Sequence, residues 1–116
     1  MIDMLDMTDQ QLNLQLEILL GAKEDRHREG NVIKGTYSTS PKDYCTDPAA
    51  SLEVQAKAIE VDAALYLKTL STKVYGATYE EVEKYDLIAL IEVKRLLLAS
   101  PRERAEAAYL TLSIKD

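Results

Sequence analysis

The chain has 116 residues, which suits one domain around one core, so we expect residues 1–116 to fold as a single unit. Its composition, 47% hydrophobic and 29% charged, is too apolar for a disordered chain. The formal charge of −6 excludes generic binding to nucleic acids or anionic membranes, because both attract cationic surfaces. Seven Tyr and no Phe or Trp predict an aliphatic core, and such packing favours helices.

The start of the chain and its single cysteine favour a cytoplasmic location. The N-terminus, Met1 to Asp6, is acidic and lacks the basic and apolar regions of a secretion signal. No apolar run reaches the roughly 18 residues that span a bilayer. Cys45 has no second cysteine with which to form an intramolecular disulfide.

The first helix is predicted over residues 8–21. Thr8 and Gln11 have the spacing of a capping box, in which each side chain binds the backbone N–H of the other residue. Leu12, Leu16 and further leucines then follow the spacing of one buried helical stripe. Gly21 is a natural helix end, because glycine tolerates the left-handed conformation.

Residues 23–46 are predicted as a loop with a short β segment. Residues 23–30 contain no apolar side chain and indicate a solvated stretch, and residues 31–38 favour one short strand or a hairpin interrupted by Gly35.

A central helical region is predicted over residues 47–75. Asp47 is a strong helix cap, and Pro48 suits the first helical position. Two apolar lines, one through Leu52 and Ile59 and one through Val54, indicate a helix packed from two sides. Asp62 could cap a separate helix, so the pattern allows one helix or two.

The third helix is predicted over residues 78–98, from a capping box that begins at Thr78. Residues 87–98 also permit a strand. Helical spacing is favoured because it groups their apolar residues on one side of a helix, with Leu98 on the buried face. The last helix, over residues 100–113, has Ser100 as its cap, Pro101 at its first position and Glu103 completing the box. The predicted fold is therefore mainly α, or α+β at most, with about four helices around one core.

The start of the last helix is a candidate anion site. Its free amides and Ser100 lie beside Arg102 and Arg104, which together can hold a phosphate or carboxylate. The alternative is that Ser100 and Glu103 satisfy the amides, while the arginines pair with Glu106 or with a neighbouring helix. Arg102 and Glu106 also have the spacing of an outward-facing ion pair.

A second candidate is a metal site. Glu80, Glu83 and Asp86 follow helical spacing, which is how all-α nucleotide pyrophosphatases hold Mg²⁺. The alternative is that the helix dipole favours acidic residues in a first turn. His27 lies between two arginines and indicates a solvated loop, and Cys45 lacks a base partner and indicates a structural thiol.

Three segments resemble small proteins encoded by tailed bacteriophages, the phage ABA-sandwich type. They are the opening Met7-Thr8-Asp9-x-x-Leu12-Asn13, the run Asp43-Tyr44-Cys45-Thr46-Asp47-Pro48-Ala49-Ala50 and the run Ala99-Ser100-Pro101-Arg102-Glu103-Arg104-Ala105-Glu106-Ala107-Ala108. The resemblance covers about half the chain, with the segments in the family's order. It implies helices on both sides of a sheet, a phage or prophage origin and the cytoplasm of a bacterial host, and it transfers no catalytic residues.

We therefore expect a non-enzymatic phage accessory protein that acts by binding. It would inhibit a host or anti-phage defence protein, through an apolar patch such as the helical region 47–75, or sequester a signalling nucleotide near Arg102 and Arg104. No cofactor is expected, and neither is a membrane or nucleic-acid partner. A homodimer or larger homo-oligomer stays open. The alternative class is a Mg²⁺-dependent, pyrophosphatase-like hydrolase that uses Glu80, Glu83 and Asp86.

Overall fold

The computed structural model describes residues 6–75 and 90–115, which form helices and one small antiparallel sheet. The helices are α1 (Asp9–Leu19), α2 (Pro48–Tyr75), α3 (Leu90–Leu97) and α4 (Pro101–Lys115). The strands are β1 (Lys23–Glu24), β2 (Val32–Lys34) and β3 (Tyr37–Thr39), in the order β1-β2-β3. This architecture confirms the predicted mainly α class with a minor β element.

Helix α1 begins where the sequence predicts. The Thr8 hydroxyl accepts the N–H of Gln11 at 3.1 Å, and the Gln11 side chain accepts the N–H of Thr8 at 2.9 Å. Leu12 is fully buried, as the predicted stripe requires. The helix ends at Leu19, two residues before the predicted boundary. Gly21 follows with φ 108°, a conformation that residues with a side chain rarely adopt.

The sheet confirms the predicted hairpin and adds a strand. Gly35, with φ 63°, lies in the turn between β2 and β3. The prediction of a solvated loop is wrong for Lys23 and Glu24, which pair with β2. An exposed edge strand is held by backbone hydrogen bonds, so it needs no apolar side chains to form. The neighbouring Asp25 is buried and accepts the Ser38 hydroxyl at 2.6 Å.

Helix α2 consists of two arms. Asp47 caps its start by accepting the backbone N–H two residues further on at 3.0 Å. Asp62 leaves the helical conformation, with φ −160° and ψ 91°, and its carboxylate accepts the N–H of Leu65 at 3.0 Å. Residues 48–61 and 63–75 are therefore separate helical arms, and Asp62 caps the second arm as the two-helix alternative required.

The break at Asp62 changes which side of α2 is buried. The buried residues of the first arm are Ala50, Ser51, Val54 and Ala58. Leu52 and Ile59, predicted on the main apolar line, are instead 47% and 41% exposed. That line assumed an uninterrupted helix, whereas the break shifts the helical phase so that Tyr66 and Leu70 face the core after it. Helix α2 does contact both α3 and α4, but the apolar line through Leu52 and Ile59 is not buried in the first arm.

Helix α3 confirms helix rather than strand for residues 90–97. Residues 78–89 of the predicted third helix, including Thr78, lie outside the described residues. The buried position predicted for Leu98 is wrong, because α3 ends before it and Leu98 is 72% exposed. Leu96 and Ala99 are buried instead.

The core lies where α4 packs along α2, with α1 against α4. It is aliphatic and rich in alanine, which lets helices approach closely. Its members include Leu12, Leu16, Val54, Ala58, Tyr66, Leu70, Ala105, Ala107, Ala108 and Leu112. The sheet packs on α1 at one side of these helices. Among the described residues, no helix is both long and apolar enough to cross a membrane.

Candidate functional site

The groups of the predicted anion site at the start of α4 have partners inside the protein. Ser100 accepts the N–H of Glu103 at 3.1 Å, and the Glu103 carboxylate accepts the N–H of Ser100 at 2.8 Å, which completes the predicted capping box. The Arg104 guanidinium donates to the Ser51 hydroxyl at 3.2 Å. Arg102 extends to α1. This arrangement corresponds to the alternative in which Ser100 and Glu103 satisfy the amides, while the arginines pair with Glu106 or with neighbouring helices.

Arg102 is the centre of a partly buried ion cluster. Its guanidinium donates to the Met7 carbonyl, to the Asp9 carboxylate and to the Glu106 carboxylate, each at 2.9 Å. The Glu106 side chain is only 8% exposed and lies 3.6 Å from the Lys73 ammonium. The predicted pairing of Arg102 with Glu106 is therefore confirmed, but its outward direction is wrong. The partners from α1 and α2 draw the pair inward, and nothing in the local spacing reveals them.

The three segments that carry the phage resemblance meet around this cluster. The Asn13 side chain accepts the N–H of Cys45 at 3.2 Å and donates to the Asp43 carboxylate at 3.2 Å. The Cys45 thiol lies 3.8 Å from the Arg102 guanidinium. Most of these contacts join residues more than 30 positions apart, so the motif residues hold α1, the loop before α2 and α4 together.

A second buried charge, missed in the sequence, lies at Glu17 on α1. Its side chain is 3% exposed and accepts the Lys34 ammonium at 2.6 Å, the Tyr44 hydroxyl at 2.7 Å and the Lys42 N–H at 3.2 Å. Burial raises the pKa of Glu17, but these three hydrogen bonds together outweigh it and lower the pKa below its ordinary value. The one signal in the sequence was a pair of polar residues, Asn13 and Glu17, placed four apart beside the leucine stripe.

Glu17 lies on a cleft of about 530 Å³ between the end of α1, the β2–β3 turn and the first arm of α2. This volume is within the usual range for small-molecule sites. Its wall combines aliphatic and cationic side chains, namely Leu20, Ile33, Val54, Lys34, Lys42 and Lys57.

An apolar groove of about 230 Å³ lies between α2 and α3. Four of the aliphatic side chains that line it are more than a third exposed: Leu52, Ile59, Leu67 and Leu97. The polar groups on its wall include Gln55 and Arg104. We call this surface the aliphatic groove. The sequence indicated an apolar patch on α2, and the structure adds α3 as its second wall.

The surroundings of Cys45 and His27 agree with the predictions of a structural thiol and of a solvated loop. Burial raises the pKa of the Cys45 thiol to about 11, and the positive charge of Arg102 lowers it only in part. A buried, protonated thiol is a poor nucleophile. His27 is exposed in the loop after β1, where its backbone N–H donates to Asp25 at 2.9 Å.

The candidate metal ligands Glu80, Glu83 and Asp86 lie outside the described residues. Within residues 6–75 and 90–115, no group of three or more His, Cys, Asp or Glu side chains is arranged to hold a metal ion.

No protein-family model, curated protein or solved structure matches this chain.

Proposed function

We propose that this protein acts by binding a partner protein through the aliphatic groove. The observation that carries the proposal is the exposure of four aliphatic side chains along one depression, led by Leu97 at 73%. Grouped apolar exposure of this kind is typical of surfaces that bind other proteins, whereas scattered exposed leucines are ordinary. Covering these side chains at their present exposure would stabilise a complex by about 1 kcal/mol each.

The shape and charge of the groove favour an amphipathic helix as the bound element. The groove lies between two helices, and Leu52, Ile59 and Leu67 follow α2 along one wall. A helix presents its own aliphatic stripe to such a surface. Arg104 on the same wall favours a carboxylate at the edge of that stripe.

The phage resemblance supports a host or anti-phage defence protein as the partner class to test first. On this proposal the protein is a phage accessory factor that acts in the bacterial cytoplasm without catalysing a reaction. The nucleotide-sequestering version has less support at the site first predicted, because Arg102 already binds the Asp9 and Glu106 carboxylates and the helix start is capped by Ser100 and Glu103.

The test compares two matched surface variants. Leu97→Lys places a charge in the groove, and Ile114→Lys makes the same change at a residue that is 64% exposed outside it. Each tagged variant is used to isolate partners from phage-infected and uninfected bacteria, and any partner is then purified and titrated. We expect Leu97→Lys to weaken binding at least tenfold and Ile114→Lys to leave it unchanged, since one lysine in an apolar interface leaves a buried charge unpaired.

Light scattering of the purified protein tests whether the groove binds a second copy of this chain instead of a different protein. A dimer that Leu97→Lys dissociates and Ile114→Lys preserves would show that the groove joins two copies of this chain, which would overturn the proposal. Equal binding by both variants would also overturn it.

A further inference from the structure

We propose that the cleft beside Glu17 binds a small organic anion that carries a phosphate or carboxylate group on an apolar body. The inference does not depend on the aliphatic groove, which lies between α2 and α3. The cleft is formed instead by the end of α1, the β2–β3 turn and the first arm of α2, and its volume of about 530 Å³ suits a ligand of nucleotide size.

The buried carboxylate in the cleft is already neutralised. Glu17 is ionised at neutral pH, because its pKa lies below the ordinary value. Its two oxygens accept three hydrogen bonds, one of them from the Lys34 ammonium at 2.6 Å. Burial and the Glu17 charge both raise the pKa of Tyr44, so its phenol stays protonated and remains a donor. Glu17 therefore fixes the cleft wall without presenting an uncompensated negative charge to a ligand.

Two further lysines of the cleft form ion pairs that are exposed to solvent. Lys42 binds Glu53 at 2.7 Å, but both side chains are about half exposed. Lys57 lies 3.7 Å from Glu60, and both of these side chains are also largely exposed. Exposed pairs contribute little stability, so exchanging a glutamate for the anionic group of a ligand costs little.

The balance of charge and apolar surface defines the ligand class. Three lysines and two glutamates line the cleft, which gives it a positive balance in a chain whose net charge is −6. Leu20 and Ile33, both partly exposed, supply apolar contact beside these charges. An inorganic ion would leave that apolar wall in water, and a neutral apolar molecule would leave the lysines unused. The combination favours an anion attached to an apolar or aromatic body.

The test uses adenosine 5′-monophosphate as the probe, with inorganic phosphate alone as the comparison. Both are titrated into ¹⁵N-labelled protein and followed by amide chemical shifts. We expect the nucleotide to produce saturable shifts at Gly21, Ile33 and Gly35, and phosphate alone to bind more weakly. No saturable shift by a nucleotide concentration of about 10 mM would overturn the proposal. Shifts confined to the start of α4 would also overturn it, because they would indicate the anion site predicted there.

The matched variants are double substitutions with the same change of charge. Lys42→Gln with Lys57→Gln removes two ammonium groups of the cleft whose ion pairs are exposed, and Arg28→Gln with Lys94→Gln removes two exposed cations elsewhere. All four side chains are exposed, so both variants are expected to fold. We expect the cleft variant to bind the nucleotide about tenfold more weakly, since each exposed ion contact contributes up to about fivefold, and the control to stay within about twofold. Equal weakening in the two variants would show a general charge effect and overturn the site.

Discussion

Removing the Arg102 side chain tests whether the ion cluster stabilises the fold. Arg102→Ala deletes the hydrogen bonds to Met7, Asp9 and Glu106, each of 2.9 Å. It also leaves the Glu106 carboxylate, 8% exposed, with the Lys73 ammonium at 3.6 Å as its ion-pair partner. Asp9 is 45% exposed, so water compensates for much of that loss.

The expected cost follows from these exposures. Loss of the charged hydrogen bond to Glu106 costs about 1.5–3 kcal/mol, and the bonds to Met7 and Asp9 add about 0.5–1 kcal/mol each. The free energy of unfolding should therefore fall by about 2.5–5 kcal/mol, which is close to the usual cost of removing one partner of a buried pair. For a domain of this size the melting temperature should fall by roughly 10–20 °C.

The assay is urea unfolding followed by circular dichroism, with Arg26→Ala as the control. Arg26 is exposed after β1, and its substitution makes the same change of net charge. In a double-mutant cycle, Arg102→Ala should lower the free energy of unfolding by about 1.5–3 kcal/mol less when Glu106 is also alanine. In that background the substitution leaves no buried carboxylate without its arginine partner. A loss below about 1 kcal/mol for Arg102→Ala, or additive effects in the cycle, would refute the reasoning.

Three further predictions concern groups with unusual surroundings. The folded pKa of Glu17 lies below the ordinary 4.5, so the unfolded state binds more protons between the two values and stability falls as pH drops through that range. In Glu17→Gln, the free energy of unfolding should therefore decrease less between about pH 5 and pH 3 than it does in the unchanged protein. An equal decrease in the two proteins would contradict this prediction. The Cys45 thiol, with a pKa of about 11, should react with Ellman's reagent at about pH 8 at least a hundredfold more slowly in folded than in urea-unfolded protein, and equal rates would contradict its burial. Asp62→Ala should cost about 1 kcal/mol in urea unfolding, because the N–H of Leu65 loses its cap, whereas Asp62→Asn should retain most of the stability; equal losses would exclude capping.

Local chemistry explains what the sequence predicted well. The caps at Thr8 and Ser100 and the break at Asp62 each depend on a hydrogen bond to a residue three positions away. Such bonds need only the residue types and their spacing, and the surrounding fold changes them little. The predicted hairpin also depends on a local property, because Gly35 adopts a turn conformation that is energetically unfavourable for residues with a side chain.

The candidate site could be predicted only in part. The spacing predicts the pairs of Ser100 with Glu103 and of Arg102 with Glu106, whereas the further partners of Arg102 and Arg104 lie on other elements. The aliphatic groove was foreseen as an apolar patch on residues 47–75, but its second wall on α3 was not. The cleft beside Glu17 was not foreseen, because its lysines lie on segments separated by eight and fifteen residues with no shared periodicity.

The sequence by itself determined where α1, α2 and α4 begin and that the core is aliphatic, and it offered Asp62 as the place where the central helix could break. Only the tertiary structure decided which way the charged side chains point. Arg102 is four residues from Glu106 but 93 residues from Asp9. Its side chain points inward because it donates hydrogen bonds to both of these carboxylates. Leu52 and Ile59 face outward because the break at Asp62 shifts the helical phase relative to α4. Local hydrogen bonds fix where an element begins and ends, whereas packing between distant segments selects the face that is buried.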